Sequence, residues 1–125
     1  MDIEWVRRHC LSFPHATEQV QWGNDLVFKV AGKIFAVTPL EAEAAFVSFK
    51  CTAETFAELI EKPNIRPAPY MARNQWVLVE REDALPRAEL KALLLQSYEL
   101  VFAKLTKKVK AELGGSHGAP VTRKS

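Results

Sequence analysis

Cysteine is scarce in this chain: Cys10 and Cys51 are the whole complement, in no C-x-x-C or other metal or redox spacing. A disulfide-stapled scaffold is therefore excluded, and both thiols are expected to be reduced. Glycine is also sparse, with five residues, and no Gly-rich phosphate loop can be built from them. GxSxG and HExxH are missing as well, which removes the usual signatures of nucleophile elbows and zinc hydrolases. No apolar run approaches the ~18 residues a membrane helix requires. The first residues, MDIEWVRRHC, lack the basic-then-apolar order of a secretory leader. The expectation is a cytoplasmic protein without membrane contact.

What remains is the composition of an ordinary globular domain. Of 125 residues, 48% are apolar and 26% charged, far from the composition of disordered chains. Folding at this length buries roughly two-thirds of the unfolded surface, enough for one core without staples. Net charge is +2, but unevenly spread. From Lys104 onward six Lys/Arg stand against Glu112 alone, giving +5, while the preceding part holds eleven basic and fourteen acidic residues. A basic tail can meet a polyanion. A solvated helix end, where lysines favour the negative pole of the dipole, is the simpler account and the one expected.

Helical spacing of Ile3, Val6, Cys10 and Phe13 predicts a first helix capped by Asp2 and ended by Pro14. β-formers around Val20 and Trp22 predict a short edge strand. Leu26–Val30 and Lys33–Thr38 read as strands joined by a tight turn at Ala31-Gly32. Ala44–Lys50 reads as a further strand. Thr52 caps a second helix, with Phe56, Leu59 and Ile60 as its buried stripe, closed by Pro63.

Next comes IRPAPYMARNQWVLVE, residues 65–80. Its prolines forbid helix and push their predecessors into extended backbone. It reads as a stiff crossover pinned by Ile65 and Tyr70, a turn at residues 71–74, and a strand over Gln75–Glu80. Pro86 then opens a long helix to about Leu113, with Leu90, Leu93, Leu94, Val101 and Leu105 as its stripe and Tyr98 alongside. Lys108 falls where that stripe should continue, so the last turns should overrun the core. Residues 1–113 form one domain on this reading and 114–125 a flexible tail. The order α-β-β-β-β-α-β-α predicts an α+β fold, an antiparallel sheet with helices on one face.

Candidate chemistry is thin. His9 and His15 flank the end of the first helix and His117 lies in the tail. His9 and Cys10, being adjacent, point to different sides of a helix, so no metal site is expected. Cys51 follows Lys50 and precedes a helix start, which could lower a thiol pKa. A cysteine at such a junction is more often a small buried apolar group. No catalytic residue, metal or cofactor is nominated, and the expectation is a non-enzymatic protein. Basic residues say more: Lys29 and Lys33 bracket the hairpin, Lys50 ends a strand, and Arg66 and Arg73 lie in the crossover. A lysine-tipped hairpin can lie along a phosphate backbone, with Trp22 and Trp76 as aromatics for stacking. Against this, surfaces normally carry lysine, and a strand tryptophan is usually core.

Motifs along the chain resemble the MmcQ/YjbR-like bacterial proteins: FP at 13–14, Glu18, WG at 22–23, VFKVAGKIFA at 27–36, VSFKCTAE at 47–54, IRPAPYMARNQWVLV at 65–79 and SYELVFAKL at 97–105. The resemblance implies a CyaY (frataxin)-like sheet fold and a double-wing DNA-binding role. Carried over residue by residue, it assigns phosphate contacts to Lys33, Lys50 and Arg73, and makes Trp76 the recurrent loop tryptophan. The Lys-rich segment from Lys104 to Lys110 lies outside the motifs apart from Lys104 itself, near the end of SYELVFAKL. Frataxin-like iron handling does not transfer, because the first helix carries Arg7 and Arg8 beside only Asp2 and Glu4.

Two functions follow. One is a DNA-binding module contacting phosphates through Lys29, Lys33, Lys50 and Arg73, with Trp76 beside them; its modest net charge implies weak, salt-sensitive binding. The other is a protein-interaction or small-ligand module, in which the sheet and the crossover make an apolar groove around Tyr70 and Trp76.

Overall fold

The computed structural model describes residues 3–41, 45–69 and 74–115. Helix α1 (Glu4–Leu11) leads into β1 (Ala16–Gln21), β2 (Asp25–Val30), β3 (Lys33–Pro39) and β4 (Val47–Lys50). Helix α2 (Ala53–Leu59) precedes β5 (Ile65–Pro67) and β6 (Trp76–Val79). A 3-10 turn at Glu82–Ala84 leads to α3 (Arg87–Ala103) and α4 (Lys107–Gly115). The strands form one antiparallel sheet in the order β1-β2-β3-β4-β6-β5.

Register and burial together define the two faces. Paired residues share a face and neighbours along a strand alternate. Leu26, Phe28 and Val30 of β2, Val47 and Phe49 of β4, Val77 and Val79 of β6 and Ile65 of β5 join the helices in the main core. Phe28, Phe35, Phe46 and Phe49 are fully buried there. Truncating any one to alanine would cost about 3–5 kcal/mol. Phe13, Phe35, Tyr98 and Phe102 stack in a chain from α1 to α3, and the Tyr98 hydroxyl donates to the Pro14 carbonyl at 2.7 Å. On the other face Val27, Val37, Ala45, Ala68, Trp76 and Leu78 form a second, smaller apolar cluster.

Several local readings hold. Ala31 (φ 51°) and Gly32 (φ 79°) make the tight β2–β3 turn, and the Thr52 hydroxyl accepts the Thr55 amide at 3.1 Å as the cap of α2. Others need correction. The residue at the α1 N-cap is Ile3, with no side-chain cap; Asp2 lies outside the described residues, as do Ala44, Tyr70 and the tail from residue 116. The crossover contributes a strand of its own, β5, whose Pro67 is tolerated because it lies on the sheet's outer edge.

The long C-terminal helix is two helices. Alpha3 stops at the Lys104 C-cap, and the chain restarts where the Thr106 hydroxyl accepts the Val109 amide at 3.1 Å. That break shifts the helical phase, so Leu105 is buried and Val109 and Leu113 pack on the core. It also explains Lys108, which is out of step only if the helix is continuous.

A bulge completes the frame. Phe28 pairs with Ala36 but Lys29 with Ile34, leaving Phe35 as the extra residue of β3. Pairing of β3 with β4 is accordingly short, Ala36 with Phe49 and Val37 with Ser48.

Candidate nucleic-acid interface

Lys29 and Lys33 are brought to the same end of the sheet as Lys50 by the antiparallel ladders. Lys29 and Lys33 flank the β2–β3 turn, and β4 runs toward that turn, since Phe49 pairs with Ala36 and Lys50 lies one residue further on. Lys104, at the end of α3, reaches the same region and acts electrostatically on Lys50.

These residues do not share one sheet face. Lys29 and Lys50 fall on the face opposite the main helices, paired with Thr17 and Trp76 respectively. Lys33 pairs with Val30 and has the other parity. What they share is an end of the molecule, so the basic surface is a rim.

Each side chain has a defined setting. The Lys29 ammonium donates to the Gln19 side-chain oxygen at 2.9 Å, a neutral partner that leaves its charge intact. Lys33 is exposed. The Lys50 ammonium donates to the Asn74 carbonyl at 2.9 Å; partial burial, then the charge of Lys104, hold its pKa below the ordinary lysine value, against a smaller opposing effect from Cys51. Among the described residues, Lys29, Lys33, Lys50 and Lys104 have no carboxylate partner. The contrast with arginine is sharp. Arg7 is bonded to Glu18, Arg66 to Glu80 and Arg81 to Asp83, and Arg87 lies 3.8 Å from Glu82 while stacking over Trp5. The charge of these four arginines is spent within the fold; the lysine charge at this rim is not.

Arg73 lies outside the described residues. Trp76 is corrected as a contact residue: it is 5% exposed, within the second apolar cluster. Its strand, WVLV, is buried at every position, as expected where both faces of a strand are covered. Trp22 is 62% exposed, but it sits in the β1–β2 turn, at the opposite end of β2 from Lys33. Six strand residues separate the two ends by about 20 Å. Trp76, the cross-strand partner of Lys50, is thus buried, and no exposed described tryptophan stands beside the lysines to stack on bases.

Cys51 is likewise not a reactive thiol. It is 1% exposed, and burial pushes its pKa up to about 12 against the weaker pull of Lys50. Burial raises Cys10 to about 12 as well. His9 lies 2.9 Å from the Lys91 carbonyl and edge-on to Phe13, a packing role. Among the described residues no group of three or more His, Cys, Asp or Glu gathers to hold a metal ion. Nor is any described helix long and apolar enough to cross a membrane.

Sequence reasoning missed the part played by Lys104. The visible signal was the lysine run after it, set aside because it fell outside the motifs.

Comparison with known proteins follows the same lines. A search of curated proteins finds no match. The chain is similar to the crystal structure of a Deinococcus radiodurans protein with the DUF419 domain, at 29% identity and TM-score 0.78, covering 90% of this chain and 87% of that one. A Pseudomonas syringae protein of 21% identity shares the fold at TM-score 0.64, covering 80% of this chain and 98% of that one. Residues 11–100 match the YjbR family model. The chain belongs to the YjbR family.

Proposed function

We propose that this domain is a non-enzymatic, cytoplasmic DNA-binding module that grips duplex phosphates with the lysine rim. The observation that carries this reading is the convergence of Lys29, Lys33 and Lys50 on one end of the sheet without carboxylate partners. Arg73 joins them as a contact inferred from the family motif. The β2–β3 hairpin serves as a wing, in keeping with the CyaY-like, double-wing architecture that the motifs imply. Phosphate contacts position a protein without reading sequence. With Trp76 buried beside Lys50 and Trp22 at the far end of β2, binding is to the duplex backbone, weak and without base preference.

Fluorescence anisotropy with a labelled duplex tests this across a salt series. The rim's share, about four neutralised phosphates, contributes about −4 to the slope of log affinity on log salt. The double substitution Lys33→Glu/Lys50→Glu should abolish binding at low salt. Wild-type affinity in that variant, or no wild-type binding at low salt, would remove the proposal.

One observation favours a second reading, a protein-interaction module. Val20, Trp22 and Leu40 are 54%, 62% and 41% exposed, and the Leu40 amide bonds to the Asn24 carbonyl within the β1–β2 turn at 2.9 Å. They form an apolar patch at the far end from the lysines, next to the outer edge of β1. On this reading Trp22→Ala removes partner capture while the charge reversals leave it unchanged. The groove around Trp76 no longer serves, because that indole is already packed.

A further inference from the structure

The break between α3 and α4 places three exposed cations, Lys104, Lys107 and Lys108, within five residues, and the first of them acts electrostatically on Lys50 of the rim. We infer that this α3–α4 elbow is a second phosphate-gripping arm, in which Lys104, Lys107 and Lys108 hold the backbone of the same duplex that the β2–β3 hairpin engages. The inference rests on the duplex-binding reading and extends it to residues that reading does not use.

Four observations carry it. First, lysines at the end of a helix are ordinarily explained by the dipole, and one of them is: Lys110 reaches back to donate to the Ala103 carbonyl at 3.0 Å, at the negative end of α3. Lys107 and Lys108 are different. They occupy the first turn of α4, which contains no acid, where the aligned peptide dipoles disfavour positive charge. Second, Lys104 lies near enough to Lys50 for the two charges to repel.

Third, none of the three has a carboxylate partner among the described residues, although four arginines elsewhere do. Fourth, the elbow is fixed in place. Leu105 is 9% exposed, Val109 and Leu113 pack on the core, and the Thr106 cap sets the angle of α4. A rigid group of unneutralised cations suits a polyanion of fixed spacing. Counterion release from a duplex would offset the local repulsion.

The test compares three proteins by anisotropy on a labelled 20-base-pair duplex over a salt series: wild type, Lys33→Gln, and the triple Lys104→Gln/Lys107→Gln/Lys108→Gln. Circular dichroism verifies the helices. The expected result is a slope shallower by about 0.9 for Lys33→Gln and by about 2.7 for the triple, one increment per lost phosphate contact. Arginine at the three elbow positions should restore the slope. Should the triple fail to fold, single Lys107→Gln and Lys108→Gln substitutions should each lower it by about 0.9.

A shallower slope for Lys33→Gln with an unchanged slope for the elbow variants would overturn the arm and leave the hairpin reading standing. Absence of wild-type binding at low salt would overturn both. Co-sedimentation with phosphatidylserine vesicles supplies the other arm: loss there in the triple, with the duplex slope intact, would assign the elbow to an anionic membrane surface instead.

Discussion

Ser97 of α3 stands between Phe35 and Lys50: its hydroxyl donates to the Phe35 carbonyl at 2.6 Å and accepts the Lys50 amide at 2.9 Å. The bulge at Phe35 shortens the β3–β4 ladder, and the hydroxyl fills the gap with two hydrogen bonds. A helix is thereby fastened to the sheet at the point where Lys50 is presented. Ser97→Ala leaves a buried donor and a buried acceptor without partners. The expected loss is about 1–3 kcal/mol, read from urea unfolding. A variant as stable as wild type would show that the bridge contributes nothing.

Ala31 occupies the left-handed region at φ 51° ahead of Gly32 at φ 79°. Alanine is strained there by about 1–2 kcal/mol, whereas asparagine adopts it readily. Ala31→Asn should therefore stabilise the domain by about 1 kcal/mol without changing DNA affinity. Thermal unfolding checks it; an unchanged or lowered midpoint counts against strain at this turn.

Both thiols should be silent in the folded protein. With pKa values near 12, Cys10 and Cys51 stay protonated at pH 8 and resist a thiol-specific disulfide reagent until denaturant is added, when two equivalents react. Their native pKa values are raised above the unfolded value near 9. The folded state thus retains protons that the unfolded state releases. Their contribution is complete below pH 9 and is lost as pH rises toward 12. Stability measured from pH 8 to 11 should fall, and less steeply in Cys51→Ala if that variant folds.

The Arg7–Glu18 pair, bonded at 2.7 and 2.6 Å, ties α1 to β1. The hydrogen bond and then the charge of Arg7 outweigh desolvation and hold the Glu18 carboxyl below its usual range. Its contribution is therefore present above the unfolded value of about 4.5 and lost as pH falls through the lower native one. Glu18→Gln should be less stable than wild type at pH 7, and the gap should narrow as pH falls below 4.5 and close once the native carboxyl is protonated. A gap that persisted in acid would mean the bond acts through shape alone.

Much of the frame was legible because local rules decided it. The Ala31-Gly32 turn, the Thr52 cap and the apolar stripe of α3 follow from chemistry within a few residues of each other. The bulge at Phe35 was not legible, since the hydroxyl that satisfies its carbonyl belongs to Ser97, distant in sequence. The α3–α4 break left a trace in the phase of Lys108, but a phase error alone cannot tell a frayed end from a restart. Trp76 was misjudged as a surface residue although WVLV, uninterrupted by polar residues, is what a strand covered on both sides looks like. As for the site, residue type predicted which side chains were basic, while their neutralisation by acids depends on tertiary placement.

The separation of Trp22 from the hairpin lysines has a spectroscopic consequence. Of the three tryptophans, Trp5 and Trp76 are each 5% exposed, so iodide should quench Trp22 alone. Duplex seated on the cationic pole lies about 20 Å from that indole and leaves its quenching constant unaltered. Protection from iodide would therefore announce a different visitor, seated at the opposite pole, and the same cuvette could register both at once.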